Sequence, residues 1–210
     1  MVLAIASFVT SSAQNTRIGV TAGAAFANYM AKVDGQKDNG TSKTGLTVGI
    51  LLDAAMGKHF SFQPAVNFVQ KGTKDESTSG GVTAKVTMTV NCIEVPLNFL
   101  YNAPGENGNF FIGAGPSVAF SLSGKLKYKD DQNNLSESLH FGKSEDDNMK
   151  GFDFGANFLA GYNFKKGIFV AANINMGISN LAIDNSDGGY LRSQYFGLRI
   201  GYKFNKKVSK

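Results

Sequence analysis

"NFFIGAGPSVAFSLSGK", residues 109–125, contains a Gly-x-Gly followed by a proline and a serine. Its Gly113-x-Gly115 suggests a phosphate-cradling loop, which needs a strand before it and a helix N-terminus after it. No helical pattern follows. Phe110, Ile112, Ala114, Pro116, Val118, Phe120 and Leu122 alternate with Phe111, Gly113, Gly115, Ser117, Ala119 and Ser121. That unbroken period of two marks a strand. Gly113 and Gly115 therefore make room on one face of a sheet. Pro116 has no N–H for the ladder, so a local bulge or kink is expected there.

The same alternation runs outward in both directions, over residues 17–27, 44–56, 59–70, 82–101, 152–164, 168–178 and 196–204. With the opening stretch this makes eight strands. In the fourth, Val86, Met88, Val90 and Cys92 lead until Ile93, Val95, Leu97, Phe99 and Tyr101 take over. A slip of one residue predicts a β-bulge at Cys92–Ile93. The connections alternate strictly: long (28–43), short (57–58), long (71–81), short (102–108), long (124–150), short (165–167), long (179–192). Tight turns at one end and polar loops at the other describe an antiparallel up-and-down sheet. Eight such strands can close into an all-β barrel without edges.

Composition agrees with β structure: 25 Gly and 17 Phe against 4 Pro and no Trp, with 18% charged residues. The net charge is +5 and the pI about 9.2. The basic residues are scattered apart from the closing "NKKVSK", which argues against a nucleic-acid partner. Cys92 is the single cysteine, so no intramolecular disulfide and no cysteine-based metal site is expected. Residues 1–13, "MVLAIASFVTSSA", have the apolar run and small-residue cleavage site of a signal peptide, although the usual positive start is missing. Gln14 is then the first mature residue, residues 14–204 form the barrel and 205–210 a polar tail. No segment is long and apolar enough for a membrane helix.

Which face is apolar separates a soluble barrel from a membrane barrel. Strands of ten to thirteen residues suit a tilted crossing of hydrocarbon. The large apolar phase is nearly free of charge. The opposite phase is small or polar and carries Asp53, Glu94, Asp153, Arg199 and Lys203 beside Gly113, Gly115, Gly155, Gly161, Gly197 and Gly201. Such a mixture fills a narrow lumen, and Arg199 and Lys203 are expected to neutralise the three carboxylates there. Tyr101, Phe110, Tyr162, Phe164, Phe169, Tyr202 and Phe204 lie near strand ends, as interfacial girdles do.

Read together, "SSAQ", "RIGVTAGAAFANY", "FSFQPAVNFVQKG", "IEVPLNFLYN", "NFFIGAGPSVAF", "FDFGANFLAGYNF", "NMGISNL" and "YFGLRIGYKF" resemble the PorT-like outer-membrane β-barrel family of Bacteroidetes. The resemblance spans roughly residues 14–204. It implies an eight-stranded transmembrane β-barrel with both ends periplasmic, inserted among outer-membrane lipid by the barrel assembly machinery, usually without an assigned activity. The tail after Phe204 departs from barrels that stop at their terminal aromatic, while Tyr202-x-Phe204 still resembles the assembly signal.

The expected role is structural or adhesive, or accessory to transport or protein secretion with envelope partners, through the extracellular loops. A pore is disfavoured because the lumen should be filled. One alternative is a soluble lipocalin-like carrier with an apolar cavity. Another is a barrel hydrolase or acyltransferase working at His140, near Glu137 and Ser138; His59, beside Lys58, would face the periplasm. Neither histidine has a partner fixed by sequence, so no catalytic residue is assigned. The acidic loops "SEDDN" (144–148) and "DNSDGG" (184–189) lack the spacing of a calcium loop and read as solvated. No metal or other cofactor is expected.

Overall fold

A computed structural model describes residues 16–33, 36–79, 82–130, 133–183 and 188–204. The expected signal peptide, the tail and Asp184–Asp187 of the second acidic loop lie outside the described residues. Among them no helix occurs. The strands are β1 (Thr16–Val33), β2 (Gln36–Asn39), β3 (Thr41–Ala55), β4 (Phe60–Ser79) and β5 (Val82–Asn102). They continue with β6 (Gly108–Lys129), β7 (Asn134–Leu139), β8 (Phe152–Phe164), β9 (Ile168–Gly177) and β10 (Tyr190–Lys203).

Eight of these, β1-β3-β4-β5-β6-β8-β9-β10, form an antiparallel ring closed by β10 on β1, from Gly19↔Lys203 to Lys32↔Tyr190. Closure pairs both edges that an open sheet would expose. The tight turns include Gly57 and Gly167, at φ 104° and 88°, which non-glycine residues rarely adopt.

Two of the expected long loops, 28–43 and 71–81, are largely strand, and a third, 124–150, is strand over 124–129 and 134–139. β4 and β5 stay paired out to Ser79↔Val82, and β5 and β6 out to Lys85↔Lys129. β7 folds back on the far half of β6, and β2 continues the line of β3 beyond Gly40 to pair with β1. A blade of β4, β5, β6 and β7 thus projects beyond the ring. Polar sequence in these segments conceals the pairing, because neither face of the blade needs to be apolar throughout.

Of two expected distortions, one falls on the neighbouring strand and the other is absent. β5 alternates without a break, and Val90, Cys92, Glu94, Asn98 and Leu100 all point inward. The register shift with β6 lies between Asn91↔Ser123 and Cys92↔Ser121, so the extra residue is Leu122 of β6. Val90 and Cys92 look out of phase because they enter an apolar layer inside the barrel. At Pro116 no bulge forms. The β5–β6 ladder skips the pairs opposite Leu97 and Asn98, but Pro96↔Ser117 and Phe99↔Ala114 keep one register. The β6–β8 register is continuous through Pro116↔Ala156.

The outer surface carries a continuous apolar belt that includes Ile18, Leu46, Ile50, Phe99, Ile112, Phe158, Leu198 and Ile200. A soluble carrier would hide this phase around a cavity, so that alternative is overturned. At the short-turn end Phe60–Tyr101, Phe110–Tyr162, Tyr162–Phe164 and Tyr202–Phe204 meet edge to face. Phe169, expected in this girdle, points into the lumen instead and is 4% exposed. At the other end a polar row closes the belt. Lys43 donates to Gln70, Gln70 to Asn91, and Asn91 to Ser123, at 3.3, 3.2 and 3.1 Å. From Asn91 to Tyr101 a strand tilted by about 40° rises about 25 Å, the height of a transmembrane barrel's apolar band.

Candidate functional site

Inward-facing side chains stack in layers, because every ring strand contributes one residue per step of two. At the short-turn end Lys203 of β10 reaches Asp53 of β3 at 2.7 Å, and Arg17 of β1 reaches the same carboxylate at 3.2 Å. Above them Leu51, Ala65, Leu100, Phe111 and Phe169 form an apolar plug joined by Leu159 and Ala171. The small-residue phase therefore also carries large apolar groups, and the glycines are their complement. A Cβ at Gly201 would meet the Phe169 ring, one at Gly161 the Phe111 ring, and one at Gly113 the Leu100 side chain. At Gly115, Gly155 and Gly197 it would meet Leu97 O, Met176 O and the Asn173 amide.

A layer of amides follows. Asn157 donates to Asn98 at 2.9 Å and Asn173 to Asn157 at 3.0 Å, beside the fully buried Asn67. The void of about 30 Å³ among Asn67, Asn98, Phe111 and Arg199 has room for about one water, not a passage.

The next layer holds the densest charge. Lys71 of β4 lies 3.4 Å from Glu94 and 3.8 Å from Asp153, with its own side chain 2% exposed. It also donates to Ser193, which donates to Asp153 at 2.5 Å. Tyr195 donates to Glu94 and accepts from Arg199 at 2.9 Å. Arg199 thus reaches Glu94 only through a phenol, and Lys203 serves Asp53 alone among the three carboxylates. The cation for Glu94 and Asp153 is Lys71, which hydrophobic alternation alone assigns to a long loop. Its signal was available: Ser61, Gln63, Ala65 and Asn67 set the inward phase, and Val69 and Lys71 continue it.

Above this, Tyr29, Val90, Cys92, Ala119, Met149 and Leu181 make a second apolar layer, with Met88, Leu139, Phe141 and Leu191 packed against it. The segments carrying Met149 and Leu181 fold over the mouth. Lys150 N donates to Leu181 O, and Leu181 N to Leu191 O. Polar and apolar layers together occlude the lumen.

The histidines lie outside this plug. His59 donates from Nδ1 to the Asn102 carbonyl at 3.3 Å, at the rim of a short-turn cup of about 380 Å³ shared with Arg17, Asp53 and Ser61. His140 is exposed, and its backbone N–H is held by Asn148 at 2.7 Å. Glu137 and Ser138 pair along β7 with Leu126 and Lys125, and among the described residues no hydrogen bond joins either to the His140 ring. Asp147 of the first acidic loop accepts from the Ser144 N–H at 2.9 Å and so holds its own turn. No group of three or more metal-ligating side chains occurs among the described residues.

The family profile for the outer membrane protein beta-barrel domain matches residues 12–182. No curated protein matches the chain. Among solved structures, Ail, the attachment invasion locus protein of Yersinia pestis, is similar at 15% identity and a TM-score of 0.41, over 91% of this chain and 100% of that one. Neisserial surface protein A is similar at 12% identity and a TM-score of 0.44, again over 91% and 100%. The outer membrane protease OmpT of Escherichia coli is similar at 9% identity and a TM-score of 0.35, over 91% and 97%. With its closed ring, outward apolar belt and filled lumen, the chain belongs to the outer membrane protein beta-barrel domain family and is a protein of the outer membrane.

Proposed function

We propose that this barrel is a non-conducting, non-enzymatic anchor that presents its long-loop end for recognition, in an adhesive role or as an accessory to transport or secretion. The observation that carries this is the combination of a plugged lumen with the β4–β7 blade held beyond the belt. Outer-membrane barrels carry their longer connections outside the cell, which directs the blade there. Against an enzyme stands the geometry at His140, where Ser138 and Glu137 are committed to a strand. Insertion by the barrel assembly machinery and contacts with envelope or secretion proteins belong to the same proposal.

The ordered motifs from "RIGVTAGAAFANY" to "YFGLRIGYKF" support a place in the PorT-like branch of Bacteroidetes, and the apolar run in residues 2–9 supports export by a cleaved signal. Planar-bilayer recording of the refolded barrel tests the anchor: a silent bilayer is expected, and stable unitary conductance steps refute it. Hydrolysis of lipid or peptide substrates that disappears in His140→Ala would refute the non-enzymatic half. N-terminal sequencing of membrane-extracted protein should begin at Gln14.

A further inference from the structure

The outer face of the blade is basic in a way that the barrel does not use. Below the Lys43–Gln70–Asn91–Ser123 row the outward residues are apolar. Above it they are lysine, threonine and serine in cross-strand rows. One row pairs Thr41 with Lys74, Lys74 with Thr87, Thr87 with Lys127 and Lys127 with Ser136. Its neighbours pair Thr89 with Lys125, and Lys85 with Lys129. Two irregularities enlarge this face. The register shifts in β3 between Ser42 and Thr47, and in β6 at Leu122, turn the odd-numbered residues beyond them outward. Lys43, Lys125, Lys127 and Lys129 would otherwise face the inner side.

Among the described residues Lys43, Lys74, Lys85, Lys125, Lys127 and Lys129 share the face with one carboxylate, Glu76, which takes Lys85 at 3.0 Å. Among the described residues Lys74, Lys125, Lys127 and Lys129 have no ion-pair partner. Like charges directly opposite, as at Lys85↔Lys129, destabilise a sheet; Glu76 takes Lys85, and Lys129 is left for something else to neutralise.

Position says what does so. Along a strand tilted by about 40°, Lys125 and Lys127 stand about 5 and 10 Å above Ser123. The polar layer of a bilayer is about 5–8 Å deep on each side, and lysine stems can bend back into it. We propose that this face docks anionic, phosphate-bearing lipid headgroups of the leaflet at the long-loop end. The apolar belt continues straight into it, so the lipids that solvate the belt bring their phosphates to the lysines. Lys43, whose stem crosses Gly72, and Lys74 meet the same layer from β3 and β4.

The test places the full barrel in nanodiscs of phosphatidylcholine and phosphatidylglycerol at nine to one, and counts retained lipids by native mass spectrometry. Wild type should keep phosphatidylglycerol well above the bulk ratio. K74Q/K125Q/K127Q should fall to the bulk ratio, a loss of roughly fivefold per lysine and on the order of a hundredfold in all. K58Q/K165Q/K166Q, with the same charge loss at the short-turn rim, should stay enriched. A heat-modifiable band in each variant shows that it is folded. The proposal fails if the blade triple keeps the wild-type enrichment, or if the rim triple loses as much. It fails equally if the blade triple loses retention on a heparin column but not phosphatidylglycerol, because the occupant is then a soluble polyanion.

Discussion

Removing the Lys71 ammonium should destabilise the barrel more than any other single charge change in the lumen. Lys71→Met keeps the stem length and deletes the only cation within ion-pair distance of Glu94 and Asp153 among the described residues. At 3.4 and 3.8 Å, and an effective dielectric constant near 20, each contact supplies about 4–5 kcal/mol of gross attraction. Burial of three charges opposes most of that. What remains on deletion is two carboxylates in a layer closed above by Val90, Cys92 and Met149. Breaking a buried pair in this way costs about 3–5 kcal/mol.

The assay is reversible urea unfolding in phosphatidylcholine vesicles, followed by the shift between folded and boiled bands. The triple variant K71M/E94Q/D153N separates charge from packing. It should recover most of the loss, because replacing a buried ion cluster by neutral groups of similar volume is often nearly neutral. K71M within about 1 kcal/mol of wild type, or a triple variant no better than K71M, would mean that Lys71 does not neutralise Glu94 and Asp153.

Three further outcomes follow from the same layers. Gly201→Val drives a side chain into the Phe169 ring and Val20 O and should lose about 1–3 kcal/mol; F169A in the same chain should return part of it, measured by the same unfolding. Tyr195→Phe leaves Glu94 and Arg199 without their shared phenol and should cost about 1–3 kcal/mol, with Ser193→Ala, which severs the Asp153 bond, as an independent comparison. Leu198→Arg puts a charge midway up the apolar belt and should cost about 2–4 kcal/mol in vesicles, whereas a variant as stable as wild type would mean that Leu198 does not face lipid.

Strand identity, the eight-strand ring and the apolar exterior were legible in the sequence, because a period of two is a local property and turn length sets which strands are neighbours. Phe110, Ile112, Gly113 and Gly115 sit on the faces that alternation assigns them. So do Asp53, Glu94, Asp153 and Lys203. Other features needed the closed structure. Alternation gives a side, not a partner, so the exchange of Arg199 for Lys71 as the cation beside Glu94 and Asp153 depends on the height at which β4, β5 and β8 meet. Likewise Phe169 counts as a lumen group only once Gly201 stands opposite it. The apparent slip at Cys92 depends on the inner layer that receives it, since an apolar residue is equally at home in lipid and in a dry plug. Lys43, Lys125, Lys127 and Lys129 join the lysine face of the blade through two register shifts, which move side chains across the sheet without leaving any mark on local composition.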